Sequence, residues 1–340
     1  MRKLSLIFLA LINAKALDVD GQLRFGGVRI KNDIGKKSST LSLGGNLGIK
    51  RDLIYGISLD ARFYTTNALL GKDSEEMFLD SNNNSYSILG EAYIQTKLGK
   101  SILKIGRQIV DTPYADSDDI AMIPNTFQGI TFSNNDIKDT TLILNSLNRW
   151  AGVDTNRAEE FNRMQNSNEA VLTAGIIYEG VKDTTIQAWH YKLDSKDFNY
   201  FEIGYENEQF NLSTQYTTQG NNNSAFGILA NVNLDKLILA TAYNKTDGVI
   251  SNGFGGGPFF TSSEDHTIAD VNNQEAILIG GEYSINDINL AITHVNFDKG
   301  ENETDYMTYY TFNKNLSLNL IYSDMYNDGK MVRFFTNYNF

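Results

Sequence analysis

The stretch that decides the fold class reads Met331-Val332-Arg333-Phe334-Phe335-Thr336-Asn337-Tyr338-Asn339-Phe340. One set of alternate residues is mainly apolar and comprises Val332, Phe334, Thr336, Tyr338 and Phe340. Arg333, Asn337 and Asn339 fall in the other set. Because the side chains of a β-strand point alternately to two faces, this period of two predicts a strand with one face in an apolar environment.

The same alternation recurs along the chain and predicts about 18 strands between residues 17 and 340. In segment 40–50, for example, Leu41, Leu43 and Leu47 alternate with Ser42, Gly44 and Asn46. The connections alternate as well, since short turns are interleaved with long segments such as 66–85, 110–127, 148–169 and 247–274. Short turns at one end and long loops at the other are typical of a closed transmembrane barrel. A soluble β-sandwich gives no reason for this regularity.

Residues 1–16 are predicted to be a signal peptide. Arg2 and Lys3 precede an apolar run from Leu4 to Ile12, and Ala14-Lys15-Ala16 offers small residues for cleavage. The run is shorter than the roughly 20 apolar residues that a membrane-spanning helix needs. We therefore expect one mature domain, residues 17–340; an ordinary buried helix at the N-terminus is the alternative.

The composition agrees with a membrane barrel. Only 41% of residues are hydrophobic, there are three prolines and no cysteine, and the formal net charge is −12. A barrel can be this polar because every second residue faces water, and the negative charge argues against nucleic acid as a partner. The fold class is therefore an all-β transmembrane antiparallel barrel in a cell outer membrane. The expected partners are outer-membrane lipid, lipopolysaccharide and the barrel assembly machinery, which we expect to read Phe340.

The third long connection differs from an ordinary solvated loop. Residues 106–129 contain two of the three prolines, four aspartates and the apolar patch Ile120 to Pro124. A loop that packs on the inner wall of the barrel needs such a patch, so this loop is expected to fold into the lumen. The residues predicted to form the constriction are Pro113, Tyr114, Asp116, Asp118, Asp119, Pro124 and Phe127.

Part of this loop resembles the OprD-type family of outer-membrane porins. The similarity lies in Gly106-Arg107-Gln108, in Pro113, in Asp119 and in the run Pro124-Asn125-Thr126-Phe127-Gln128-Gly129. The resemblance implies a water-filled channel of 18 strands, narrowed by the third loop, for passive diffusion of small polar solutes. The chain departs from the family pattern where Ile120 follows Asp119, because an arginine is expected there. Related campylobacterial porins can be trimeric, so a monomer and a homotrimer both stay open.

Family members use a row of basic side chains to guide solutes that carry carboxylates. By alternation, five basic residues are expected to face the lumen here: Arg24, Arg62, Lys97, Lys104 and Arg333. Carboxylates, amino acids and peptides are then the candidate solutes, while mutual neutralisation of lumen charges is the alternative reading. Alternation also places Arg107 on the lipid face, where an arginine costs about 2–4 kcal/mol at the bilayer midplane.

Other readings are weaker. The aspartates at 116–119 could bind Ca²⁺, although a solvated or arginine-paired surface explains them as well. His190, His266 and His294 lie near no recognisable nucleophile motif, which disfavours an outer-membrane barrel enzyme. A soluble periplasmic β-rich binding protein is the remaining alternative. The glycine-rich segment 253–258 lacks the lysine and the following helix of a phosphate-binding loop, and is expected to be part of a long external loop.

Overall fold

The computed structural model describes residues 17–73, 77–220 and 222–340 of the chain. The predicted signal peptide lies outside these residues. The described residues contain 19 strands. In chain order they are β1 (Leu17–Asn32), β2 (Lys37–Asp52), β3 (Ile57–Asp73), β4 (Tyr86–Leu98), β5 (Ser101–Gln108), β6 (Thr126–Asn134), β7 (Thr140–Ala151), β8 (Asn162–Arg163), β9 (Val171–Val181), β10 (Thr184–Lys192), β11 (Asp197–Glu206), β12 (Phe210–Gln219), β13 (Asn223–Leu234), β14 (Leu237–Asp247), β15 (Glu275–Ile285), β16 (Ile288–Phe297), β17 (Glu303–Asn313), β18 (Leu316–Asp324) and β19 (Gly329–Asn339).

These strands form one closed antiparallel sheet. Each long strand pairs with its neighbours in the chain, and β19 pairs with β1 to complete the ring. The strand β8 has two residues and pairs only with the loop end of β7. The rest of β7 pairs with β9. The barrel wall therefore consists of 18 long strands, and the predicted antiparallel barrel of about 18 strands is confirmed.

The predicted alternation is visible in the exposure of β19. Val332 and Tyr338 are 38% and 44% exposed on the outer face, whereas Arg333 and Phe335 are 1% and 5% exposed on the inner face. Phe340 follows this strand, is largely exposed, and exchanges two backbone hydrogen bonds with Gly21 of β1. Apolar residues on the outer face of most strands suit a lipid environment, while closure of the sheet leaves no unpaired edge.

The two ends of the barrel differ, and we call them the turn end and the loop end. Short hairpins lie at the turn end, and several of them use an aspartate or asparagine with positive φ. This backbone conformation suits a tight hairpin between twisted strands. The residues concerned are Asp139, Asp183, Asp235 and Asn286. No helix in the described segments is long and apolar enough to cross a membrane.

The long connections lie at the loop end. The four longest are L2, described from residue 77 to 85, L3 (109–125), L4 (152–170) and L7 (248–274). Their buried apolar residues join the inward residues of the wall in two clusters, one on each side of the lumen. The core of this protein is therefore built from loops packed inside the barrel.

Candidate functional site

L3 begins against one side of the lumen. Tyr114 is fully buried, and its hydroxyl lies 2.6 Å from Oγ1 of Thr217 on β12. The Tyr114 ring also makes edge contacts with Tyr191 of β10 and Phe198 of β11, at 5.5 and 5.1 Å between centroids. Pro113 occupies the tight turn between Thr112 and Ala115, which are joined by backbone hydrogen bonds. The aromatic cluster thus fixes the first half of L3.

The second half of L3 reaches nearly the opposite wall. Met122 and Ile123 are buried in a cluster that includes Val28 of β1, Tyr64 of β3 and Phe335 of β19. This is the apolar patch that the sequence marks at 120–124. Pro124 follows the patch, and Phe127 is fully buried at the start of β6, where it stacks on Trp150. L3 therefore runs across the lumen.

A second loop, L7, also folds inward. The backbone of Phe254 makes two hydrogen bonds to L3. Its N–H donates to the Tyr114 carbonyl at 3.0 Å, and its carbonyl accepts a hydrogen bond from the Asp116 N–H at 3.2 Å. Phe259 and Ile268 are buried in the same cluster as Tyr114. Segment 253–258 therefore lies in a long connection at the loop end, and the inward path of this connection was not predicted. The sequence signal that could have revealed the inward path of L7 is the presence of three large apolar residues in this loop, Phe254, Phe259 and Ile268.

Three of the five predicted lumen cations are ion-paired. Arg24 donates two hydrogen bonds to the carboxylate of Asp119, at 2.6 and 2.7 Å, and a third to the Ala121 carbonyl. Arg333 of β19 is 1% exposed and pairs with Glu264 of L7. Both arginines therefore attach a loop to the wall.

The third paired cation is Arg62 of β3. It lies 2.5 Å from Asp20 and 3.4 Å from Glu91, and it also donates to the side chain of Asn46. A row of free arginines along the lumen is therefore not what the barrel presents. Alternation predicts the side of the wall correctly, but it carries no information on the partner.

The two lysines differ from the arginines. Lys104 of β5 lies over the ring of Tyr93 at 4.9 Å, and Lys97 is exposed near the turn end of β4. Neither lysine has a carboxylate within 4 Å in the part of the chain that the structure describes. These two residues are the unpaired cations among the predicted five.

The acidic residues of L3 divide into two groups. Asp119 binds Arg24, as described above, while Asp116 accepts hydrogen bonds from the N–H groups of Gly256 and Gly257 in L7, both at 3.3 Å. Burial raises the pKa of Asp116 to about 6, against the opposing effect of these two N–H groups. Asp116 therefore holds L3 to L7 and carries its charge less readily than an ordinary aspartate.

Asp118 lies beside Asp154 of L4. Burial raises the pKa of Asp118, and the neighbouring carboxylates of Asp154 and Asp116 raise it further. Burial likewise raises the pKa of Asp154, although Asn125 donates a 2.5 Å hydrogen bond to that carboxylate. These three aspartates line a cavity of about 370 Å³ between L3, L4 and L7. None of them has a basic partner within 4 Å among the described residues.

A second polar cavity of about 490 Å³ lies nearer the turn end, on β9 to β12. Glu179, Glu202 and Glu206 line it and face inward. The sequence pattern did not reveal this acidic surface, because strand 183–193 shows no clean separation of its two faces. The predicted basic residues of β1 to β5 lie on a different part of the wall.

The calcium prediction stays a prediction. Residues 17–73, 77–220 and 222–340 contain no group of three or more histidine, cysteine or acidic side chains arranged to hold a metal ion. Of the aspartates concerned, Asp119 pairs with Arg24 and Asp116 accepts backbone N–H groups. The role of Phe340 as an assembly signal also stays a prediction, with its exposed position directly after β19 as the supporting observation.

The predicted conflict at Arg107 has a local solution. The residue faces outward near the loop end of β5, where its guanidinium lies 4.4 Å from the centroid of the Phe161 ring and donates to the Leu89 carbonyl at 3.1 Å. The position at the end of the strand, together with these contacts, keeps the charge away from the midplane of the membrane.

The barrel of 18 long strands with inward loops can be compared with known protein families and solved structures. The model of the OprD family of outer membrane porins matches residues 44–246, which is more than half of the chain. The chain belongs to the OprD family of outer-membrane porins. It is a channel for small solutes in the outer membrane and is not an enzyme. Comparison with curated protein sequences gave no match.

Solved structures of porins share this fold. OccK8 (OprE) of Pseudomonas aeruginosa has a TM-score of 0.81 at 16% identity, with 95% of this chain and 98% of that chain covered. OccAB3 of Acinetobacter baumannii has a TM-score of 0.80 at 15% identity, over 97% and 99% of the two chains. OccK2 (OpdF) of Pseudomonas aeruginosa, solved in complex with glucuronate, has a TM-score of 0.79 at 15% identity, over 96% and 98%.

Proposed function

We propose that this porin favours cationic and zwitterionic solutes over anionic ones, with L3 and L7 as its constriction. The observation that carries the proposal is the pairing of charge. Arg24, Arg62 and Arg333 are each neutralised by a carboxylate, whereas Asp116, Asp118 and Asp154 have no basic partner within 4 Å among the described residues. Burial raises the pKa of each of these aspartates, so together they carry fewer than three negative charges, but no nearby cation offsets the charge that remains. This local charge sets the field on a permeating ion, because exposed distant charges are screened within about 8–10 Å.

The asymmetry of the lumen supports zwitterions in particular. Lys97 and Lys104 lie on the wall of β4 and β5, while Glu179, Glu202 and Glu206 lie on the wall of β9 to β11. An amino acid can direct its carboxylate toward the first wall and its ammonium group toward the second. A solute with a single charge makes favourable contacts with only one of them.

Passage of carboxylates is the second candidate. The unpaired Lys97 and Lys104 favour it, and so do two similar proteins, because OpdK was solved with vanillate and OccK2 with glucuronate. Those ligands belong to the relatives. In this chain three of the five predicted lumen cations are paired with carboxylates, and this pairing supports the first candidate.

Reversal potentials across a planar bilayer under a KCl gradient test the proposal. We expect the wild-type channel to be cation-selective and Asp116→Asn with Asp118→Asn and Asp154→Asn to reduce that selectivity. Asp235→Asn is the matched control, because it removes a carboxylate in an exposed hairpin at the turn end, where asparagine tolerates the positive φ. Anion selectivity of the wild-type channel would contradict the proposal.

Solute competition separates the two candidates. Transient blocking of single-channel current is measured with lysine, glycine and benzoate added to one side. Stronger blocking by lysine and glycine than by benzoate is the expected result. Stronger blocking by benzoate, lost in Lys104→Gln, would favour the carboxylate channel.

A further inference from the structure

Three arginines form a row on the outer face of the barrel, outside the lumen. Arg107 of β5 pairs in register with Gln128 of β6, Gln128 pairs with Arg149 of β7, and Arg149 pairs with Arg163 of β8. The four residues therefore lie on one line across four strands, near the loop end. We call Arg107, Arg149 and Arg163 the arginine row.

The side chains of the arginine row point away from the lumen. Phe127 and Trp150, which are the neighbours of Gln128 and Arg149, stack on each other inside the barrel, so alternation places Gln128 and Arg149 outside. Arg149 and Arg163 are exposed, and Arg107 is half-buried. The next outward residues toward the turn end are Ile105 and Ile130, both exposed and apolar. The row thus borders the lipid-facing band.

The arginine row has no internal compensation. No carboxylate lies within 4 Å of its members in the described parts of the chain. The polar contacts of Arg107 and Arg149 are single hydrogen bonds to the carbonyls of Leu89 and Phe161, both at 3.1 Å. Arg149 and Arg163 stand directly opposite each other, an arrangement of like charges that destabilises a sheet. The nearby Arg157, in contrast, pairs with Glu159 and Glu160.

We propose that the arginine row binds the phosphate groups of a lipid in the outer leaflet of the outer membrane. Long loops of bacterial barrels lie on the external side, so the row sits at the level of the outer-leaflet headgroups. Guanidinium groups bind phosphate through paired, charge-assisted hydrogen bonds. Acyl chains of the same lipid would cover Ile105 and Ile130, which a free phosphate ion cannot do.

The geometry suits a headgroup with more than one phosphate. Neighbouring strands are about 4.8 Å apart, so Arg149 and Arg163 can share one phosphate, while Arg107 lies two strands from Arg149. The ring of Phe161 lies over Arg107, and the carbonyl oxygen of Phe161 accepts a hydrogen bond from Arg149, so both guanidinium groups are held in place before a ligand binds. This arrangement lowers the conformational entropy lost on binding.

The test measures lipid binding by the purified full-length barrel in detergent micelles. The probe is a bisphosphorylated, multiply acylated disaccharide lipid, with its dephosphorylated form and inorganic phosphate as comparisons. For Arg107→Gln with Arg149→Gln and Arg163→Gln we expect binding of the phosphorylated lipid to weaken on the order of tenfold or more. The matched control replaces Lys138, Lys182 and Lys236 at the turn end with glutamine and is expected to bind as the wild type.

Each outcome decides the matter. Equal binding by the triple variant and the wild type, or equal binding of the dephosphorylated lipid, would overturn the proposal. Inorganic phosphate that competes at the same concentration as the lipid would show an anion site without lipid recognition. A change in oligomeric state with unchanged lipid binding would assign the row to contacts between copies of the chain.

A smaller change replaces the triple variant if heat-dependent gel migration shows that the triple variant does not fold. Arg149→Gln with Arg163→Gln then tests the exposed pair, and lysine at both positions should restore part of the binding.

Discussion

The two sides of the lumen hold L3 by different means. On the side of β1 and β19, Arg24 binds Asp119 and the Ala121 carbonyl, and Asp119 is still 47% exposed. On the side of β10 to β12, Tyr114 is fully buried among aromatic side chains. Exposed ion pairs contribute little to stability, whereas burial of a large aromatic side chain contributes several kcal/mol, about 3–5 when it is removed. Tyr114 therefore anchors L3 more firmly than the Arg24–Asp119 pair does by itself, and Met122 and Ile123 add buried apolar contacts on the side of β1 and β19.

The largest expected effect comes from removing the loop that joins the two sides. Deletion of residues 114–122 should raise single-channel conductance several-fold, because the lumen of an 18-strand barrel is wide without an inserted loop. Heat-dependent gel migration would show that the barrel still closes. Unchanged conductance of a closed barrel would mean that L3 does not limit the pore.

A smaller effect is expected when only the aromatic anchor is lost. Tyr114→Ala should leave the barrel closed but release the first half of L3, and we expect increased current noise and a higher mean conductance in single-channel records. Tyr114→Phe is the matched control, since it keeps the ring and removes only the hydroxyl that contacts Thr217. Its cost should be about 0.5–1.5 kcal/mol, as for one hydrogen bond. Equal noise in both variants would contradict the anchoring role.

The charged side should respond in selectivity more than in conductance. Arg62→Ala with Arg333→Ala leaves Asp20, Glu91 and Glu264 without their partners, so the reversal potential should shift further toward cations. Lys182→Ala removes a cation at the turn end and serves as control. A shift toward anions, or none, would show that these pairs lie outside the permeation path.

The smallest expected effect is a dependence on pH. Burial raises the pKa of Asp116 to about 6, so its carboxylate is ionised at about pH 8 and largely protonated at about pH 5. Cation selectivity should therefore fall as the pH falls through this range. In Asp116→Asn the fall should be smaller, because that position no longer titrates. An equal pH dependence in wild type and variant would assign the titration to another group.

The sequence predicts the wall of the barrel far better than its contents. Alternation in β19 separates Val332 from Arg333 correctly, because the period of a strand is a local property. The patch at 120–124 predicts the inward path of L3, because a solvated loop has no use for Met122 and Ile123. The inward path of L7 was missed, because Phe254, Phe259 and Ile268 are spaced without a period among glycine and polar residues.

The sequence also did not predict the ion-pair partners of the charged residues in the lumen. Arg24 on β1 and Asp119 in L3 are separated by 95 positions, and the path of L3 across the lumen decides whether they meet. Alternation assigns each basic residue to a face, but pairing depends on how a loop packs in three dimensions. The acidic cluster at 116–119 was therefore recognised as a unit, although Asp119 and Asp116 have separate partners.

The bonds between β1 and β19 have a consequence for the order of folding. Gln22 and Asn339 are hydrogen-bonded although they lie 317 positions apart. The entropy lost on joining two points of a chain grows with their separation, and folds rich in such contacts form slowly. Until β19 meets β1, both strands expose unpaired backbone groups that can pair with another chain. The seam is thus the last part of the ring to form, and the half-built sheet is the state most in need of protection from aggregation.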